Sequence, residues 1–139
     1  MYTHRLKAPP ADIWWALHDP GVLERAIPYC RHLTQAGPAE YHITCEVSVL
    51  GCGFKVAGQA RFLGEEPPGK TTLLLVGGTP PKGFRIQANL ALDPEPGGGT
   101  LLRWSLGEGG SAPGGQARSM IEQFIKSIEQ AALKRPGKG

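Results

Sequence analysis

Residues 117–132 read Ala-Arg-Ser-Met-Ile-Glu-Gln-Phe-Ile-Lys-Ser-Ile-Glu-Gln-Ala-Ala, and the spacing in this stretch decides the fold. At 100° per residue, Ala117, Met120, Ile121, Phe124, Ile125, Ile128, Ala131 and Ala132 fall within an arc of about 140°. Arg118, Glu122, Lys126, Gln130 and Lys134 fall outside it. Glu122 precedes Lys126 by four residues, the favourable order for a surface ion pair. Lys134 and Arg135 suit the negative end of a helix dipole, and Pro136-Gly137 then stops the helix. The pattern predicts one long amphipathic helix over about 114–135. Its length is about 30 Å, which a strand of about nine residues matches. Its apolar stripe needs a partner of similar length.

That partner lies upstream. From Cys30 to Leu106 the period changes to two, with strands expected at 30–36, 40–50, 54–65, 70–77, 83–93 and 100–106, after a short one at 3–8. Tyr41, Ile43, Cys45, Val47 and Val49 share one face, and His42, Thr44, Glu46 and Ser48 the other. Phe54, Val56, Gly58, Ala60 and Phe62 oppose Lys55, Gln59 and Arg61. Phe84, Ile86, Ala88, Leu90 and Leu92 oppose Arg85, Gln87, Asn89 and Asp93. One apolar face and one wet face mark an antiparallel sheet covered on one side. Short Gly/Pro separators such as Gly51-Cys52-Gly53, Pro67-Pro68-Gly69 and Pro80-Pro81-Lys82-Gly83 read as hairpin links. Between the first strand and the sheet, Ala11 to His18 has helical spacing behind Pro9-Pro10. Asp19 caps and Pro20 opens a second short helix that ends before Pro28. The fold class is therefore α+β: one domain over residues 1–139, a curved antiparallel sheet gripping a long C-terminal helix.

Composition narrows the function classes. The chain of 139 residues is 40% apolar and 19% charged, which suits a globular domain with a real core. A net charge of +3 without a clustered basic stripe argues against nucleic acid. Cys30, Cys45 and Cys52 are odd in number and form no CxxC pair, so neither a disulfide framework nor a zinc site is expected. No apolar run approaches the ~20 residues of a membrane span, and the N-terminus lacks the apolar core of a signal peptide. A cytoplasmic protein is expected. His4, His18, His32 and His42 are scattered, and none is paired at helical spacing with another ligand, so no metal or cofactor is expected.

Two motifs look like phosphate chemistry. Gly64-Glu65-Glu66-Pro67-Pro68-Gly69-Lys70-Thr71 fits the Walker A pattern letter for letter. A P-loop works by pointing successive backbone N–H groups at phosphate oxygens. Pro67 and Pro68 have none to offer, Glu65 and Glu66 would oppose the phosphates, and Gly77-Gly78 leaves little chain for the helix that should follow. A hairpin turn is the better reading. Gly107 to Ala112 fits GxGxxA, but the chain ends with the next helix and cannot supply the second parallel strand of a dinucleotide fold.

An apolar ligand held between the inner sheet face and the helix is the function this pattern favours. The walls would be Tyr41, Cys45, Phe54, Val56 and Phe62 on the early strands and Phe84, Ile86, Ala88 and Trp104 on the later ones. Met120, Phe124 and Ile128 would close it. Gly58, Ala60 and Ala88 lack bulk and would leave room. The inward faces carry no Asp or Glu, so no catalytic residue is assigned; Tyr41 and Cys45 are the inward polar candidates if the protein is a cyclase- or hydrolase-type enzyme. An interaction module with a filled core is the other reading. Self-association is open.

Ala8-Pro9, Ile13-Trp14, Ala16-Leu17, Asp19-Pro20, Val22-Leu23, Ile27-Pro28 and Cys30 together resemble the carbon monoxide dehydrogenase G-subunit family of the START-like superfamily. The likeness continues through Gly51–Gly58, Pro67-Pro68, Gly83-Phe84 and Gly99-Thr100-Leu101. It implies a helix-grip fold. It also implies an accessory role for a molybdenum-containing dehydrogenase, with peripheral membrane contact or handling of a lipid- or quinone-like molecule. The chain departs from the family at Tyr29, where glycine usually precedes the cysteine, at Pro80-Pro81-Lys82 and at Ala112-Pro113.

Overall fold

The structure is a computed structural model that describes residues 1–49, 51–78, 84–107 and 117–135. The side chains of Val47 and Val49, the turn at Pro80–Gly83, the stretch from 108 to 116 and Pro136-Gly137 lie outside the described residues. The order is β1 (Tyr2–Leu6), α1 (Pro10–His18), α2 (Pro20–Ala26), β2 (Cys30–Gly37), β3 (Glu40–Val49), β4 (Cys52–Glu66), β5 (Lys70–Gly77), β6 (Phe84–Pro94), β7 (Thr100–Leu106) and α3 (Ala117–Leu133).

All seven strands form one antiparallel sheet in the order β1-β7-β6-β5-β4-β3-β2. Register places the expected apolar residues side by side: Tyr41 faces Ala60 and Cys45 faces Val56 across β3–β4. Leu75 faces Ile86 across β5–β6, and Leu90 faces Trp104 across β6–β7. These side chains are buried, while Lys55, Gln59 and Arg85 are on the outer face. The hydrophobic pattern thus fixes the register, since a slip of one residue would turn every core side chain to water.

The helix stripe also behaves as its spacing requires. Met120, Ile121, Phe124, Ile125, Ile128 and Ala132 are buried. The expected Glu122–Lys126 pair does not form; Glu122 pairs instead with Arg118, at 3.4 Å. Arg118 in turn stacks its guanidinium 4.4 Å from the centre of the Tyr2 ring. At the other end of α3, Arg135 reaches Asp12 of α1 at 3.0 Å and lies over the Trp15 ring. The N–H of Lys7 donates to Glu129 at 2.8 Å. These contacts lay α3 alongside β1 and seat its end on α1.

The short helices form as the proline pattern predicts. Pro10 opens α1, and the Asp19 carboxylate accepts from the N–H of Val22 at 3.0 Å to cap α2. The Walker-like stretch is a hairpin: Pro67-Pro68 is a cis pair at the β4–β5 turn, and Lys70 begins a strand instead of a helix. No phosphate cradle is built there.

Candidate functional site

Nearly all of the candidate side chains sit on one wall or the other of the sheet–α3 interior. Tyr41, Cys45, Val56, Phe62, Phe84, Ile86, Ala88, Trp104, Met120, Phe124 and Ile128 are buried, and Phe54 is half-buried near the start of β4. The structure sorts several of them into separate neighbourhoods.

The first is an apolar cleft where the start of α3 meets the sheet. Its lining is Ile27, Pro28, Tyr29, Cys45, Leu75, Phe84 and Met120. The cavity volume is about 10 Å³, close to the space one water needs. Sequence reasoning found Cys45, Phe84 and Met120 of this set. It missed Leu75, because Leu73-Leu74-Leu75-Val76 is apolar on both faces and gives no alternation. It missed Ile27, Pro28 and Tyr29, which come from the α2–β2 turn and not from any strand face.

Two local features shape this cleft. Tyr29 has φ 67, the one positive φ outside glycine among the described residues. A side chain there costs of order 1–3 kcal/mol, which explains why a glycine would be at home. Its carbonyl accepts from the N–H of Glu46 at 2.9 Å, so the turn is pinned to β3. The second feature is a row across four strands, Ile43–Gly58–Gly77–Phe84. A Cβ on Gly77 would lie 2.7 Å from the Phe84 ring, so the ring lies directly over the glycine. A Cβ on Gly58 would lie 2.4 Å from the carbonyl oxygen of Val76. This corrects one expectation: the space at Gly58 is taken by the backbone of β5 and not left for a ligand. Ala60 and Ala88 are fully buried.

The second neighbourhood lies at the C-terminal end of α1. The Tyr41 hydroxyl donates to the His18 carbonyl at 3.2 Å, and its ring meets Phe62 edge to face. The His18 ring lies 4.6 Å from Phe62 and 4.7 Å from Trp14. Its Nδ1 donates to the Trp14 carbonyl at 2.8 Å, and its Nε2 is 2.6 Å from Glu65. Nothing in local spacing joins His18 to Glu65, since 47 residues separate them. The third neighbourhood is Trp104, packed on Tyr2 at 4.5 Å between ring centres and stacked with His4 at 6.5 Å.

The polar candidates carry little reactivity. Burial, helped by nearby Cys30, pushes the Cys45 thiol up to about 11, so it stays protonated at neutral pH and is a poor nucleophile. Burial, then the charges of Glu65 and Asp19, raise the Tyr41 phenol above its ordinary value, and its proton is already engaged. Among the described residues no cluster of three or more His, Cys, Asp or Glu could hold a metal. No helix among them is long and apolar enough to cross a membrane.

Solved structures share this architecture. A conserved protein from Geobacillus kaustophilus superposes with a TM-score of 0.77 at 22% identity, over 95% of this chain and 93% of that one. A START superfamily protein from Mycobacterium smegmatis gives 0.66 at 14% identity, over 96% and 95%. The protein Ara h 8.0201 gives 0.66 at 12% identity, over 96% of each chain. The fold is therefore the START-like helix grip. None of the curated proteins matches the chain in sequence. Residues 3–135 match the family of the carbon monoxide dehydrogenase G-subunit (CoxG), a match that spans the sheet, both short helices and α3, and the chain belongs to that family.

Proposed function

We propose that the protein binds a lipid- or quinone-like apolar molecule between the sheet and α3, entering at the cleft beside Tyr29, and that it serves a molybdenum-containing dehydrogenase in this role. The observation that carries the reading is the cleft itself. Its lining side chains, from Ile27 to Met120, are almost wholly apolar, and it opens onto a continuous apolar layer. A volume near 10 Å³ means that a ligand enters only when side chains move. Met120 is suited to that, since an unbranched thioether changes rotamer at little cost. Burying about 300 Å² of apolar ligand surface contributes about 7 kcal/mol before ordering costs, enough for micromolar affinity without a charged anchor. The family supports the dehydrogenase partner. The Cys45 thiol, held protonated, gives covalent catalysis no support.

Native mass spectrometry of the purified chain tests the reading, with organic extraction to identify what is bound. An apolar molecule at one copy per chain is expected. Met120→Trp, which plugs the cleft from α3, should weaken binding of the extracted molecule at least about tenfold, a loss of about 1.4 kcal/mol. An empty protein, or equal affinity in the plugged variant, rejects the site.

A further inference from the structure

The outer side of the helices carries a second concavity, unrelated to the cleft. Val22, Arg25 and Ala26 of α2 and Lys126, Ser127, Gln130, Ala131 and Lys134 at α3 line a groove of about 380 Å³. We infer that this groove docks an acidic segment of a protein partner, helical or extended, with carboxylates on one side and small apolar side chains between them.

Charge is the first argument. The lining holds three cations and no anion. Among the described residues none of the three has an ion pair, as is also true of Lys7, Lys55, Lys70 and Arg85; what sets these three apart is that they line one groove. Lys126 is the telling one. Its natural partner by spacing, Glu122, is taken by Arg118 one turn earlier, which leaves the ammonium of Lys126 to the groove. One acid on each helix is also engaged with a backbone N–H. Glu129 accepts from the N–H of Lys7 and Glu24 from the N–H of Leu33.

Shape is the second. Between the cations the lining is the buried Val22 and Ala26 and the half-buried Ser127 and Ala131, all small side chains that leave the groove open. Lys126 on α3 and Lys134 just past its end are eight residues apart, about 12 Å along the helix axis. Carboxylates two helical turns apart, or three to four residues apart in an extended chain, meet both ammonium groups. A flat anionic bilayer fits less well. Its usual anchors are large apolar side chains, and the lining has none. Leu133, exposed on the same helix, is outside the lining.

The test uses the whole chain and a synthetic amphipathic peptide with glutamates two turns apart and alanines between, followed by fluorescence anisotropy. Two variants carry the same change of charge. One is Arg25→Glu/Lys126→Glu/Lys134→Glu at the groove; the other is Lys55→Glu/Lys70→Glu/Arg85→Glu on the solvent face of the sheet. The groove variant should bind about tenfold more weakly and the sheet variant within about twofold of the parent, as three solvent-exposed ion pairs permit. If charge reversal lowers the melting temperature, Arg25→Gln/Lys126→Gln/Lys134→Gln supplies the same comparison. No binding by the parent, or equal loss in both variants, overturns the inference. So does sedimentation with phosphatidylglycerol-rich vesicles that the groove variant abolishes while the peptide stays unbound, because that outcome assigns the surface to a membrane.

Discussion

The two ends of the sheet–helix interior are built on different principles. At the end of α1, Tyr41, His18 and Glu65 are joined by hydrogen bonds, Trp14 stacks on the His18 ring and Phe62 packs tilted against it. At the cleft, Cys45, Leu75, Phe84 and Met120 meet through apolar contact alone, beside a tyrosine held at φ 67. Directional bonds permit one arrangement; dispersion contacts among flexible side chains permit several of similar energy. The difference teaches where the molecule can yield. The end of α1 is the stiff one, and the cleft is the end whose side chains can rearrange.

The sharpest way to break this contrast is to delete one ring at each end. Phe62→Ala removes a buried ring packed on His18 and Tyr41, and should cost about 4 kcal/mol. Phe84→Ala removes a ring that lies over Gly77 beside an existing cleft, and should cost about 3 kcal/mol, the low end for such a truncation. Urea unfolding of the two variants measures both. Equal losses would mean that the two ends are equally rigid.

A smaller effect separates the ends by pH. Folding raises the Cys45 thiol from about 9 to about 11, so the folded state holds a proton that the unfolded state releases first. That contribution is complete below pH 9 and is lost as pH rises toward 11. Cys45→Val removes the thiol at similar volume. It should flatten the alkaline fall in stability by about 1–2 kcal/mol, read from denaturant midpoints at neutral and alkaline pH. The raised Tyr41 phenol acts in the same direction from the other end, so some alkaline loss should persist in the variant.

The smallest effect is expected at the turn. Tyr29→Gly relieves the left-handed backbone and should raise stability by about 1 kcal/mol, offset in part by the entropy of glycine in the unfolded chain. Denaturant midpoints read the change. A loss of stability would show that the half-exposed Tyr29 ring contributes more to the cleft than its backbone costs.

Much of this architecture was legible. Strict alternation in β3, β4 and β6 named the inner face correctly, because one-sided burial imposes a period of two. The stripe on α3 named its buried face for the same reason at a period of 3.6. Legibility ended where residues meet through the fold and not through the pattern. His18 and Glu65 are far apart in sequence, and the cleft takes three residues from a turn. Gly58 misled for a related reason: a missing side chain marks space or a close neighbour, and only the strand register tells which.

The strand order has a consequence for how the chain assembles. β1 and β2 lie at opposite edges of the sheet, and β1 pairs with β7, Tyr2 against Trp104. The strand earliest in this sequence is thus paired with the strand latest in it. The hairpins from β2 to β7 can zip up from sequence-local contacts, while β1 has no sequence-local partner. A pairing of such long sequence separation places the docking of β1 on the slow side. It also makes β1 the strand that completes one edge of the sheet.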